Sequence, residues 1–346
     1  MNFASARWDG VRAIGFRVKA PLRTTIALLF LSLLLACRSR APLPSGDPSP
    51  TSSAYESGTP QALNDARRGF HTRVRDMPRT SGPPSAPPPN IFALIRYPSP
   101  AGPLAAYVTP RPADGKRRPA IVWIQGGFDS SIDESAWTPA PPGNDQSARA
   151  FREAGAVLML PSLRGGNDNP GSRETLYGEV DDVIAAGDYA ASLEYVDPSR
   201  VYLGGHSTGG TLVLLVAEST DRFRAVFAFG PVGNVKSYDK EATFDVSDEK
   251  EVRLRSPMNF VSAIRTPTFI FEGTVPPSNA GALPYLTPKD GLSPVHTYRV
   301  AGVSHFSILS PVTALLARKI TQEKGNVDVA ESDLKAAVAT SGANAR

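Results

Sequence analysis

The segment 205–209, with the sequence GHSTG, contains a serine whose type and spacing suit nucleophilic chemistry. It follows an apolar run that predicts a strand, and it precedes the apolar run 211–217, which predicts a helix. Small residues two positions on either side of a serine let the chain turn sharply from strand to helix, which exposes the hydroxyl oxygen. We therefore predict that Ser207 is a nucleophile. The alternative is a glycine-rich turn that binds phosphate, but the sequence shows neither a G-x-G-x-x-G pattern nor a Walker lysine.

A serine hydroxyl needs a base to remove its proton, and the chain has four histidines. We expect His206 to point away from the position of the base, His296 to lie in a strand and His71 to lie on the surface. His305 follows the last predicted strand and precedes the last predicted helix, 306–320. Hydrolases that use a Ser-His-acid triad on a parallel sheet present their base in this place, after the serine in chain order. We predict that His305 is the base, and a helix-capping histidine is the alternative.

Acyl transfer also needs N–H donors that stabilise the negatively charged oxygen of the tetrahedral intermediate. The segment 125–128, QGGF, follows the predicted strand 119–124, and its glycines allow backbone amides to face a substrate. We predict that one donor is the backbone N–H of Thr208, directly after the nucleophile. The second donor is predicted to be the backbone N–H of Gly127 or Phe128.

The elements that position these residues alternate between strands and helices. The predicted strands are 91–97, 104–109, 119–124, 156–160, 201–204, 223–229, 268–271 and 296–300, with a turn at 98–102 joining the first two. Between the fourth and fifth lies a predicted helix, 179–193, which ends at a turn around residues 197–198. Its predicted buried face consists of Val180, Val183, Ile184, Gly187 and Ala191. Short apolar strands that alternate with helices indicate an α/β fold with a mostly parallel, doubly wound sheet.

Together with further segments, these residues resemble the catalytic domain of the prolyl-oligopeptidase family of α/β-hydrolases. The further segments are 164–166, 169–171, 179–183, 196–201 and 256–260, so the resemblance covers about residues 92–320. It implies a serine hydrolase that cleaves peptide or carboxylic ester bonds through an acyl-enzyme, without a metal or organic cofactor. Proline-selective members of the family carry a large propeller, for which the stretch between Cys37 and the first predicted strand is too short. The resemblance therefore does not imply that this protein is selective for proline.

The sequence departs from the family pattern at the acid of the triad. The family reads His-Gly-x-x-Asp after the penultimate strand, whereas segment 272–276 reads EGTVP, with a proline in place of the aspartate. We predict Glu272 as the acid, because it is the carboxylate of this short stretch and Gly273 lets the backbone re-aim it. The alternatives are Asn279, Asp290, Asp239 and Asp245. This departure keeps a second function open, a lipid-anchored inactive hydrolase fold that acts as a binding or envelope-interaction module.

The charge of the chain is concentrated at its N-terminus. The chain has 346 residues, a net charge of +4 and a single cysteine. Because residues 1–36 hold five basic residues and one acidic residue, the remainder is formally neutral. A neutral body argues against a nucleic-acid partner, and one cysteine excludes a disulfide framework. The charged segment 235–255 predicts either a small lid over the site or a solvated surface helix.

Residues 1–36 have the pattern of an export signal, a basic stretch followed by a short apolar run. The segment 34–37, LLAC, resembles the bacterial lipobox, in which the cysteine is acylated. We expect Cys37 to carry a lipid that anchors the exported protein to a membrane, facing the periplasm or the cell exterior. An ordinary signal peptide or a membrane-anchor helix is the alternative.

The remaining boundaries follow from composition. Residues 37–89 are rich in Pro and Ser and predict a tether, in which 64–77 is expected to form a short helix with little or no packing. Residues 90–325 are the predicted catalytic domain, and residues 326–346 are expected to form a polar tail. The expected partners are a small peptide or ester substrate and the membrane, and the sequence does not determine an oligomeric state.

Overall fold

The computed structural model describes residues 61–75, 82–289, 291, 293–322 and 325–344. Within these residues, eight strands form one sheet in the spatial order β1-β2-β4-β3-β5-β6-β7-β8. The strands are β1 (Ala93–Tyr97), β2 (Leu104–Val108), β3 (Arg118–Ile124), β4 (Val157–Pro161), β5 (Val196–His206), β6 (Val226–Phe229), β7 (Thr268–Val275) and β8 (Val295–Ser304). The pairs β1–β2 and β2–β4 are antiparallel, and every other neighbouring pair is parallel. The sheet is therefore mostly parallel, as predicted.

Helices cover both faces of this sheet. They are α1 (Leu63–Arg67), α2 (Arg149–Glu153), α3 (Glu179–Ser192), α4 (Thr208–Ala217), α5 (Glu249–Arg253), α6 (Leu309–Gln322) and α7 (Glu331–Asn344). In the central strand β3, Val122 belongs to the apolar core that includes α3 and α4, whereas Ile121 belongs to the opposite core with α2 and α6. Successive side chains of a strand point to opposite faces, so a wholly apolar strand serves both cores. None of the described helices is long and apolar enough to cross a bilayer.

The buried face of α3 differs in detail from the prediction. Its buried apolar positions are Val180, Val183, Ala186, Gly187 and Ala190, whereas Ile184 and Ala191 are half-buried. The predicted turn at 197–198 does not end this helix, because α3 ends at Ser192 and β5 already begins at Val196. The register between β3 and β5 jumps from Arg118↔Val196 to Ala120↔Val201. Residues 197–200 therefore form an irregularity inside β5.

The C-terminal segment is a packed helix rather than a polar tail. In α7, Leu334 is buried, and the preceding Val327 and Val329 are buried as well. The Tyr298 hydroxyl of β8 donates a hydrogen bond to the carbonyl of Val329 at 2.7 Å. Only two apolar residues of this helix, Leu334 and Val338, are larger than alanine, which is why composition alone indicated a tail.

The segment 61–75 also packs on the domain, although the sequence predicted little packing. Leu63 is fully buried, and its N–H donates to the carbonyl oxygen of Glu218 at 3.0 Å. The Arg67 guanidinium donates to both carboxylate oxygens of Asp181. The predicted signal region 1–36, Cys37 and the parts of the predicted tether at 38–60 and 76–81 lie outside the described residues.

Candidate active site

Ser207 lies at the sharp turn between β5 and α4. Its φ of +56° falls in the left-handed region, which is strained for a side chain other than glycine. A Cβ at Gly205 would lie 2.5 Å from the carbonyl oxygen of Gly209, and a Cβ at Gly209 would overlap the carbonyl oxygen of Ile124. Both positions therefore require glycine, and the backbone can turn closely enough to place Ser207 at the carboxyl edge of the sheet.

His305 and Glu272 form a buried pair beside this turn. The His305 Nδ1 lies 3.1 Å from Glu272 Oε2. The backbone N–H of His305 donates to the carbonyl oxygen of Pro277 at 2.8 Å. Glu272 is fully buried near the end of β7, and His305 directly follows β8. Because a carboxylate only accepts, Nδ1 carries the proton, and Nε2 of the neutral ring is left to accept a proton from a substrate or nucleophile.

The space for this pair depends on Gly230, which follows β6. Its φ is +59°, and a Cβ there would overlap the His305 ring and lie 2.6 Å from Glu272 Oε2. The Asn279 side chain donates to the Gly230 carbonyl at 2.9 Å, so Asn279 fixes the neighbouring backbone. A glycine and an amide thus shape the environment of the pair.

Among the described residues, the other candidates for the role of the acid make no hydrogen bond to His305. The Asn279 amide bonds the Gly230 carbonyl instead of the imidazole. Asp239 and Asp245 are exposed, and each accepts a hydrogen bond from its own local turn. Asp290 lies outside the described residues. The structure therefore brings Glu272 to the histidine and leaves the described alternatives apart from it.

The free backbone amides near Ser207 differ in one residue from the predicted oxyanion donors. The Gly127 N–H donates to Thr208 Oγ1 at 2.8 Å, and the Thr208 hydroxyl donates to the Gly127 carbonyl at 2.6 Å. This corrects the prediction for Gly127, because its amide is already engaged. The backbone amides of Thr208 and Phe128 make no hydrogen bond to another described residue. Arg173 donates to the Phe128 carbonyl, in the peptide unit that follows the Phe128 amide.

Ser207 and His305 line a common cleft of about 710 Å³. Among the described residues, the rest of the lining carries no charged side chain and consists of Val232, Gly233, Asn234, Ser237, Tyr238, Met258, Ser278, Asn279, Gly281, Ala282 and Tyr285. The charged segment 235–255 contributes Ser237 and Tyr238, so its first part forms a wall of the cleft. Within the described part of the chain, no group of three or more His, Cys, Asp or Glu side chains is placed to hold a metal ion.

Comparison with curated proteins gives partial matches. Residues 143–275 match the family model described as the Prolyl oligopeptidase family. The chain is similar to the dual function macrocyclase-peptidase POPB of Galerina marginata, with 33% identity over 129 residues that cover 35% of this chain and 17% of that protein. It is also similar to a prolyl endopeptidase of Elizabethkingia miricola, with 29% identity over 106 residues that cover 29% of this chain and 14% of that protein. These matches support the resemblance to the family, over a small part of the relatives' length.

Solved structures match over more of the chain. A puromycin-hydrolyzing peptidase of Mycobacterium tuberculosis has a TM-score of 0.55 and 20% identity, covering 69% of this chain and 42% of that one. An esterase of Pyrobaculum calidifontis has a TM-score of 0.51 and 18% identity, covering 67% of this chain and 85% of that one. The chain has the α/β-hydrolase fold. The predicted fold class is confirmed, and the family match supports the prediction of a serine hydrolase.

Three residues at this site escaped the sequence prediction. One is Gly230, described above. The second is Tyr238, which lines the same cleft as Ser207; its hydroxyl hydrogen-bonds with Thr211, and burial raises its pKa to about 12. The third is His206, which contacts His305 instead of pointing away from it. These contacts join separate loops, so no local sequence signal identifies them.

Proposed function

We propose that this protein is a serine hydrolase that cleaves peptide or carboxylic ester bonds through an acyl-enzyme. The observation that carries the proposal is the placement of Ser207, at the turn after β5, in one cleft with His305, which is paired with the buried Glu272. With Glu272 as the proposed acid, the missing family aspartate is no longer a reason to favour an inactive hydrolase fold. The matched peptidases and the esterase support a hydrolase without deciding between a peptide and an ester substrate.

Each residue has a defined role in the proposed reaction. Ser207 Oγ attacks the substrate carbonyl while His305 Nε2 accepts its proton, and the N–H groups of Thr208 and Phe128 donate to the developing oxyanion. His305 then gives the proton to the leaving group, which departs and leaves the acyl group on Ser207. Water, activated by His305, hydrolyses this ester. Glu272 holds the imidazole and stabilises the imidazolium in both steps.

The cleft favours a substrate that is uncharged next to the cleaved bond. Its polar lining groups are hydroxyls and amides, from residues such as Asn234, Ser237 and Ser278, and its apolar ones include Val232 and Met258. Such a surface can hydrogen-bond neutral groups, whereas a desolvated charge would lack an opposite charge in the lining. A neutral acyl p-nitrophenyl ester and an N-blocked aminoacyl p-nitroanilide, assayed side by side, distinguish esterase from peptidase activity.

Labelling with a fluorophosphonate probe tests the function without knowledge of the substrate. The wild type is expected to react, while Ser207→Ala and His305→Ala do not, and both variants should unfold at temperatures near that of the wild type. His296→Ala is a matched control, because His296 is exposed on β8 and stacks on Phe269 away from the cleft lining. A folded wild type that is not labelled would contradict the hydrolase and favour the binding module.

We further propose, from the sequence pattern, that Cys37 carries the lipid that anchors the protein to a membrane. The neutral charge of the chain after residue 36 provides no electrostatic alternative for attachment. Cell fractionation of the wild type and Cys37→Ser tests this. Membrane association that persists in a Cys37→Ser variant with its signal removed would contradict lipid anchoring.

A further inference from the structure

The imidazole of His206 is almost completely buried and contacts His305 and Phe306. Its Nε2 lies 3.0 Å from the carbonyl oxygen of His305, and the two imidazole centroids are 4.6 Å apart. A carbonyl oxygen only accepts hydrogen bonds, so Nε2 carries a proton and donates it. We propose that His206 is a positioning residue that holds the main chain of the base in place relative to the nucleophile. This inference rests on the proposed function.

The adjacency of His206 and Ser207 gives the contact its effect. Because these residues are consecutive, the hydrogen bond ties His305 to the same short backbone segment that carries the nucleophile. Among the described residues, the other hydrogen-bond partners of His305 are the Pro277 carbonyl and the Glu272 carboxylate. Both belong to β7 and the loop after it, so neither relates the base directly to the nucleophile. The bond from His206 therefore sets the separation that proton transfer requires.

The charge state of His206 suits a positioning role. Burial lowers the pKa of His206 most, the charge of His305 lowers it further, and the resulting pKa is about 3. The ring is therefore neutral when His305 accepts a proton, and it adds no second cation beside the imidazolium. On its other side, the ring approaches Gly126, where a Cβ would lie 3.2 Å from His206 Nδ1. His206 thus borders the loop that carries the proposed oxyanion donor.

Two substitutions of His206 distinguish the effect of its hydrogen bond from the effect of the volume of its ring. In His206→Gln, the side-chain amide can still donate to the His305 carbonyl, whereas His206→Leu keeps the bulk and removes the donor. We expect kcat for a p-nitrophenyl ester to fall about 10- to 100-fold in His206→Leu with little change in KM, and His206→Gln to recover most of it. His296→Leu, on the strand that leads to His305, is the control and should retain the wild-type rate.

Proton NMR gives a readout that does not depend on turnover. The Nδ1 proton that His305 shares with Glu272 should give a downfield signal in the wild type and in His206→Gln, and this signal should be lost in His206→Leu. If His206→Leu does not fold, His206→Asn replaces it, because the shorter amide does not reach the carbonyl. A wild-type rate and signal in the variant without the donor, or equal losses in His206→Gln, would overturn the proposal.

These outcomes are distinct from a failure of the proposed function. A wild type that does not react with the fluorophosphonate probe contradicts the hydrolase. In that case the NMR comparison of His206→Gln and His206→Leu still decides whether His206 holds His305.

Discussion

Gly230→Ala should disable the site by displacing the proposed acid, Glu272, and the proposed base, His305, although it changes neither of them. The added Cβ would overlap the His305 ring and lie 2.6 Å from Glu272 Oε2. Restoring ordinary van der Waals separations of about 3.5 Å requires the pair to move by about 1 Å. A displacement of that size at a reacting centre costs about 10²-fold in rate. We therefore expect kcat to fall at least about 10²-fold, with KM nearly unchanged because Gly230 does not line the cleft.

The backbone cost of this substitution can be measured separately. An alanine at a φ of +59° is itself destabilised by about 1–2 kcal/mol, because its Cβ approaches the following carbonyl. Gly115 has a φ of +67°, and a Cβ there meets nothing within 4 Å, so Gly115→Ala carries the backbone cost alone. Steady-state kinetics and urea unfolding of both variants provide the comparison. If Gly230→Ala kept kcat within about threefold of the wild type, the His305–Glu272 pair would not be the working arrangement.

Three further predictions concern the acid, the N-terminal segment and a buried carboxyl. Glu272→Gln should lower kcat by about 10²–10⁴ with little change in KM, whereas Asp239→Asn should leave both constants unchanged in the same ester assay. A chain that starts at residue 82 should lose at least about 2 kcal/mol of unfolding free energy relative to one that starts at residue 61, since it lacks the buried Leu63; urea unfolding that shows no difference would contradict this. Burial raises the pKa of Glu218, whose carboxylate oxygens have no hydrogen-bond partner among the described residues, so its contribution to stability is present below the usual carboxyl pKa and is lost as pH rises. Glu218→Gln should therefore show a smaller fall in melting temperature from pH 5 to pH 8 than the wild type.

The segment 61–75 makes further contacts with the domain, so its removal should lower the unfolding free energy by more than the loss of Leu63 alone. The Thr72 hydroxyl and the Arg73 N–H donate to the Glu251 carboxylate, which also pairs with the fully buried Arg255. Val74 forms an antiparallel bridge with Phe244. All of these partners belong to the segment 235–255, whose first part lines the cleft. The sequence predicted none of these contacts, because the two segments lie far apart along the chain.

Local patterns determined much of what the sequence revealed. The turn at 205–209 is a short-range feature, in which close backbone approach demands glycine on both sides of Ser207. The alternation of apolar strands and helices likewise depends on neighbouring residues, and it indicated a parallel sheet whose carboxyl edge collects Ser207 and His305. The weakly amphipathic α7 and the five-residue α1 lack such a pattern, so their packing was not predictable.

The identity of the groups around His305 was decided by tertiary structure. The sequence left Asn279, Asp239, Asp245 and Asp290 as alternatives to Glu272 for the acid beside His305. Which side chain reaches the histidine depends on the position of its strand in the sheet. The choice between Gly127 and Phe128 likewise depended on the Thr208 hydroxyl, which engages one amide and leaves the other. The contact between His206 and His305 joins the end of β5 to the loop after β8. Residue types and spacing along one segment specify local conformation, but contacts between loops from different strands exist only once the sheet has brought those loops together.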